Sequence, residues 1–96
     1  MSVIQIKNRK IGDGYPAYII AEMSANHSGS IERAKEIIRA AKEIGADCIK
    51  IQTYTPDTMT IDCHNEYFNI SKGTWEGENL YALYQKAYTP WEWQKE

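Results

Sequence analysis

The run Ala17-Tyr18-Ile19-Ile20-Ala21-Glu22 and the run Asp47-Cys48-Ile49-Lys50-Ile51-Gln52, with the segment Met23 to Ala46 between them, decide the fold. Tyr18 to Glu22 is short, apolar and ends in a carboxylate, while Asp47 to Gln52 alternates and carries an ammonium and an amide. Both patterns predict strands. Between them Ile31, Ala34, Ile37, Ile38, Ala41 and Ile44 recur at steps of three and four, which gathers them on one face of a helix. Ser30 is placed to cap that helix, Glu32 puts a carboxylate at the positive end of its dipole, and Gly45 stops it.

Side chains alternate across a strand, so Cys48, Lys50 and Gln52 share one face and Ile49 and Ile51 the other. Ile49 and Ile51, with Ile19 and Ala21 on the first strand, suit the helix. Glu22, Lys50 and Gln52 then point away from it. In an open doubly wound sheet that second face is also covered by helices and should be apolar. In an eight-stranded barrel it is the interior, whose rim at the carboxyl ends of the strands is where substrates bind. The fold expected is therefore α/β, with residues 1–96 forming the N-terminal portion of a (β/α)8 TIM barrel. A short β-hairpin of Val3 to Ile6 and Arg9 to Ile11 precedes it, and Gly12-Asp13-Gly14-Tyr15-Pro16 turns the chain into the first barrel strand.

A barrel of this class needs about 250 residues, against 96 here. Thr89-Pro90-Trp91-Glu92 reads as a capping box with proline at the first helical position, so a helix is expected to start at Pro90. Stopped at Glu96, it is too short to offset its nucleation cost. The expectation is an N-terminal piece of a longer protein, and the alternative is a frayed terminal turn of a complete small domain. From Thr53 to Gly77 no helical period appears. Such an excursion is uncommon in a compact domain unless it serves function, and it leaves the carboxyl end of the second strand. Tyr67-Phe68-Asn69-Ile70 is the candidate strand within it and Ser71-Lys72-Gly73 a turn. Glu78 to Ala87 returns to helical period through Leu80, Leu83, Tyr84 and Ala87.

A net charge of −2 with mixed signs argues against general affinity for nucleic acid or an anionic membrane surface. Lys7, Arg9 and Lys10 are followed by no apolar stretch of signal-peptide or membrane-spanning length. The localisation expected is cytoplasmic. Cys48 and Cys63 have neither zinc-finger nor CxxC spacing and read as free thiols.

Lys50 carries the sharpest signal. A lysine on the inward face of a strand is paired, solvated or functional, unless it snorkels from a sheet edge. Glu22 and Gln52 at the same end of the sheet favour a shared polar site, although Glu22 alone reads equally as a solvated strand-end carboxylate. His27 is either a metal ligand or proton carrier, or a loop histidine bonded to its surroundings. No second histidine lies at ligand spacing, and His64 falls in the long excursion. Ser28-Gly29-Ser30 either holds a phosphate at the helix N-terminus or caps it. Trp75, Trp91, Trp93, Tyr81, Tyr84 and Tyr88 form either a sugar-stacking wall or a packing cluster.

Tyr18-Ile19-Ile20-Ala21-Glu22, Asn26-His27-Ser28-Gly29, Gly45-Ala46-Asp47 and Lys50-Ile51-Gln52-Thr53 together resemble the start of the sialic acid synthase family, over essentially the whole chain. Gly73-Thr74-Trp75-Glu76-Gly77, Leu80-Tyr81, Tyr84 and Tyr88-Thr89-Pro90-Trp91-Glu92-Trp93 look like its pseudaminic acid synthase branch. The resemblance implies a TIM barrel followed by a small antifreeze-like domain that reaches the partner subunit of a homodimer. It implies condensation of phosphoenolpyruvate with an amino sugar, a 2,4-diacetamido-2,4,6-trideoxy hexose in this branch, to give pseudaminic acid and phosphate. It also implies a divalent metal, Mn or Mg, that polarises the sugar aldehyde, with ligands outside this chain. Lys50 matches the lysine that holds the phosphoenolpyruvate anion. Glu22 and Gln52 match residues on the sugar side, Glu22 also as a candidate proton carrier, and Asn26 and His27 belong to the substrate-binding pattern. N-acetylneuraminic or legionaminic acid synthesis is the alternative within the family. A non-catalytic binding module that docks a partner through its aromatic surface is the alternative of another class.

Overall fold

The structure, a computed structural model, describes residues 2–96. A hairpin of β1 (Val3–Ile6) and β2 (Arg9–Gly12) opens the chain, antiparallel and in register from Val3 opposite Gly12 to Ile6 opposite Arg9. Then follow β3 (Ile20–Glu22), α1 (Ile31–Glu43) and β4 (Cys48–Lys50), with β3 and β4 parallel and Ile20, Ala21 and Glu22 opposite Cys48, Ile49 and Lys50. This is the strand, helix and strand read from the sequence, with both strands shorter than their apolar runs. The ladder continues past the strand end, where the Met23 N–H donates to the Lys50 carbonyl at 3.0 Å.

The ends of α1 explain its length. Ser30 accepts from the Arg33 N–H at 3.2 Å. At the other end the Ala46 N–H donates to the Ala41 carbonyl at 3.0 Å and the Gly45 N–H to the Lys42 carbonyl at 3.2 Å. Gly45 has φ +93°, so this is a Schellman ending that needs the left-handed residue glycine supplies. Ala34 and Ala41 are the buried positions of the helix.

The excursion departs from its expected form. Pro56–Met59 is a short helix, α2, begun by a first-turn proline and held at Thr55, whose N–H donates to Thr58 Oγ1 at 3.2 Å while the Thr58 hydroxyl donates to the Thr55 carbonyl at 2.8 Å. Glu66–Phe68 is a 3₁₀ turn capped by the Asn65 side chain, in place of the strand expected over Tyr67 to Ile70. The β-branched and aromatic content of that run is overridden by a local cap. The strand signal survives as a single bridge between Asn69 and Asn79. Helix α3 (Leu80–Ala87) starts at Asn79, whose Oδ1 accepts from the Ala82 N–H at 3.2 Å.

After α3, Trp91–Lys95 is 3₁₀ in place of the α-helix expected from Pro90. The Thr89 N–H, which a capping box would leave for Glu92, instead donates to the Gln52 carbonyl at 2.8 Å, and Thr89 Oγ1 is buried without a partner. This terminal strap lies along α1, with Lys35 Nζ 3.0 Å from Glu96 Oε2. Hydrogen bonding to Glu96 holds the Lys35 ammonium above the ordinary lysine range.

Burial is sparse. Met23, Ala34, Ala41 and Ala87 are the buried apolar residues among those described, while Ile19, Ile20, Ile44 and Trp91 are exposed. A compact domain of this length would have a radius of gyration of about 12–13 Å, whereas the chain's is 17.1 Å. What holds it is a thin α/β layer.

Candidate active site

β3 and β4 deliver their polar residues to one place because they run parallel and in register. Glu22 stands opposite Lys50, and Lys50 Nζ donates to Glu22 Oε1 at 2.9 Å. Ile49, on the alternate face, is half-buried on the side of β4 that meets α1, and Ala21 beside it is half-buried. The pair stays open to solvent, the Lys50 side chain 54% and the Glu22 side chain 61% exposed. An ammonium has three donors, so Lys50 can serve Glu22 and still present two N–H groups to an anion. Gln52 follows on the same alternation and is half-buried, its carbonyl held by the strap through Thr89.

Between Glu22 and α1 the loop is a chain of tight turns. The Asn26 N–H donates to the Met23 carbonyl, Ser28 to Ala25 and Ser30 to His27, at 3.0–3.1 Å. Ser24 (φ +51°) and Ser28 (φ +53°) occupy the left-handed region. For a residue with a Cβ this is strained, at a cost of about 1–2 kcal/mol each. Asn26 is exposed, and its carbonyl accepts from Arg33 Nε at 2.7 Å. His27 is fully buried. Its Nδ1 accepts from the Gly29 N–H at 2.9 Å, its ring meets Trp93 edge-on with centroids 5.1 Å apart, and Nε2 has no partner. Of the two readings of His27, the bonded loop histidine is the one the geometry displays. Ser28-Gly29-Ser30 likewise acts as a turn and a cap.

The aromatic group divides. Tyr54 packs edge-on against Tyr84 at 5.6 Å and lies 6.2 Å from Tyr88, and burial raises the Tyr54 hydroxyl above the ordinary phenol range. Tyr81 donates to Asp57 Oδ1 at 3.0 Å, a bond that together with burial raises its pKa. Trp75 and Trp91 remain exposed. The thiols of Cys48 and Cys63 are free.

Two structural groups are absent from the reading of the sequence. At the opposite, amino end of the strands, Asp47 accepts from Arg9 Nη1 at 2.7 Å and from the Ile19 N–H at 2.8 Å, while Arg9 Nη2 donates to the Ala17 carbonyl at 3.0 Å. This clamp ties the hairpin to both strands. Asn79, besides capping α3, donates from Nδ2 to the Cys63 carbonyl at 2.6 Å and so closes the excursion. A lone charge before an apolar run and an asparagine before a helix were the available signals.

Among the described residues no group of three or more His, Cys, Asp and Glu is gathered as a metal would require. None of the described helices is long and apolar enough to cross a membrane.

The model of the NeuB family matches residues 37–96. The chain is 57% identical over 76 residues to the pseudaminic acid synthase of Campylobacter jejuni, covering 79% of this chain and 22% of that protein. It is 52% identical over 81 residues to the Helicobacter pylori pseudaminic acid synthase, covering 84% and 24%. It is 47% identical over 58 residues to the N,N'-diacetyllegionaminic acid synthase of Legionella pneumophila, covering 54% and 16%. The chain thus spans less than a quarter of the length of these relatives. The family model covers more than half of the chain and includes the strand that bears Lys50 and the segment with Gln52 that follows it, and on that ground the chain belongs to the NeuB family.

Proposed function

We propose that this chain forms the first part of a phosphoenolpyruvate-dependent synthase barrel that makes pseudaminic acid, and that its open polar strand ends are one wall of the active site. The observation that carries the reading is the Lys50–Glu22 pair, set in register by two parallel strands at their carboxyl ends, together with identity above half to two pseudaminic acid synthases. Lys50 supplies the positive charge that an anionic enol phosphate needs. Glu22, Gln52 and Asn26 face the sugar, where hydroxyl and acetamido groups offer both donors and acceptors. In the reaction proposed, carbon 3 of phosphoenolpyruvate forms a bond to the aldehyde carbon of the open-chain sugar, and the aldehyde oxygen takes up a proton. Water then adds to carbon 2, and phosphate leaves with cleavage of the carbon–oxygen bond. Glu22 is placed to carry a proton in this sequence, and Lys50 holds the phosphoenolpyruvate while the strands orient both reactants.

The rest of the proposed barrel, an antifreeze-like domain, a homodimeric assembly and a divalent metal of the Mn or Mg type belong to the same reading and come from the family resemblance. A cytoplasmic location is proposed with them, in keeping with the free thiols. The identity to a legionaminic acid synthase keeps a second substrate in view, a sugar of different configuration at the same site.

The test is a hybrid enzyme in which this chain replaces the matching segment of the Campylobacter jejuni relative. A folded hybrid should release phosphate only when phosphoenolpyruvate and a 2,4-diacetamido-2,4,6-trideoxy hexose are both present. A panel with N-acetylmannosamine and the legionaminic precursor sets the specificity. A folded hybrid that releases no phosphate with any of these sugars overturns the proposal.

A further inference from the structure

We infer that His27 is a positioning residue that fixes the sugar-facing side of the site from beneath, without touching substrate. The inference rests on the proposed function for its activity readout, but its structural readout is independent.

The loop that follows Glu22 is strained at two residues, Ser24 and Ser28, at φ +51° and +53°. Strained backbone persists only where its surroundings over-determine it. The group between those residues is the His27 side chain, 0% exposed, whose Nδ1 accepts the Gly29 N–H at 2.9 Å. That bond requires Nδ1 to be unprotonated, so the neutral ring carries its proton on Nε2. The ring also reaches beyond its own loop. Its edge contact with Trp93 joins it to the strap, and the same strap grips the other strand end, through Thr89 to the Gln52 carbonyl at 2.8 Å and through Gln94 Nε2 to Thr53 Oγ1 at 2.7 Å.

His27 therefore links the segment after Glu22 to the segment after Lys50. Lys50 does not depend on this link, because the β3–β4 ladder and the Met23 N–H bond hold its backbone directly. Loosening His27 should disturb Asn26 and the Glu22–Gln52 spacing while leaving the phosphoenolpyruvate contact in place. A residue that merely filled space would show no such split between substrates, and its loss would be repaired by shape alone.

Two substitutions separate these cases in the hybrid enzyme. His27→Phe keeps a ring against Trp93 and removes the acceptor. His27→Asn removes the ring but places an amide oxygen near the position of Nδ1. The Michaelis constant for the amino sugar should rise roughly tenfold in His27→Phe, equivalent to about 1.4 kcal/mol, with phosphoenolpyruvate affinity within about twofold. His27→Asn should recover most of that loss. Hydrogen exchange at the Gly29 amide, followed by mass spectrometry without substrate, should be fast in His27→Phe and slow in the parent and in His27→Asn. The inference is overturned if His27→Phe matches the parent, if both substrates weaken equally, or if His27→Asn fails to slow Gly29 exchange. If the unmutated hybrid is folded but inactive, the proposed function fails, and the exchange pattern alone then supports or overturns the His27 link.

Discussion

Replacing Lys50 with alanine should weaken phosphoenolpyruvate binding far more than it weakens the fold, and the structure says why the two separate. The Lys50–Glu22 contact is short at 2.9 Å, but both side chains are more than half exposed. Exposed ion pairs contribute about 0–1 kcal/mol to stability, so the melting temperature of the hybrid enzyme should fall by no more than about 2–4 °C. A charge-assisted bond from the ammonium to a bound anion is worth about 1.5–3 kcal/mol, or roughly one to two decades in affinity. Lys50→Arg should recover part of the loss, since it restores the charge with a different donor geometry. Calorimetric titration of phosphoenolpyruvate into parent, Lys50→Ala and Lys50→Arg, with thermal melts of each, measures both quantities. Unchanged phosphoenolpyruvate affinity in a folded Lys50→Ala protein would refute the reasoning, and an equal loss in Glu22→Gln would show that the anion is not held by Lys50 in particular.

Gln52→Leu keeps approximate volume and removes both amide functions, so the Michaelis constant for the amino sugar should rise by the equivalent of about 1–3 kcal/mol while phosphoenolpyruvate affinity stays within about twofold. A loss confined to phosphoenolpyruvate would reverse the placement of the two substrates. Asp47→Ala removes the acceptor of two short bonds, one from Arg9 at 2.7 Å and one from the Ile19 N–H at 2.8 Å. It should destabilise by on the order of 3 kcal/mol after discounting for the partial exposure of Arg9, read as a fall in melting temperature of roughly 6–12 °C. A shift within 2 °C, about the size expected of an ordinary surface site, would show that the clamp adds little. Asn79→Ala loses a helix cap worth about 1 kcal/mol and the tie to Cys63, so limited proteolysis should cut residues 60–78 faster. Asn79→Asp should keep the cap and lose the tie, and equal cutting in all three proteins would argue against the role given to Asn79.

The β3–α1–β4 unit was legible because three independent signals agreed: apolar alternation in the strands, helical period between them, and cap residues at Ser30 and Gly45. That Glu22 and Lys50 share one face at the carboxyl ends followed from the same alternation, but the register that sets them opposite each other did not, because a slip of two residues leaves alternation unchanged. The excursion was legible only as an excursion. Its helix at Pro56 and its turn at Glu66 are set by caps of four and three residues, too short to show as periodicity, and at Pro90 the tertiary bond from Thr89 to Gln52 overrode a strong local helix start. His27 shows the other limit. Its residue type and its neighbours suggested a loop bond or a ligand, but burial against Trp93 joins positions 66 residues apart in sequence, which no local pattern carries. The Arg9–Asp47 clamp was hidden for the same reason.

In the proposed function Lys50, Glu22 and Gln52, at the ends of β3 and β4, hold the two substrates. The most direct measurement is a crystal structure of the hybrid enzyme with phosphoenolpyruvate and a reduced, unreactive form of the amino sugar. A phosphoenolpyruvate oxygen is expected within hydrogen-bond reach of Lys50 Nζ, about 2.7–3.2 Å, with sugar hydroxyl or acetamido groups on Gln52 and Glu22. Phosphoenolpyruvate bound elsewhere, with Lys50 still engaged only by Glu22, would contradict the proposed function.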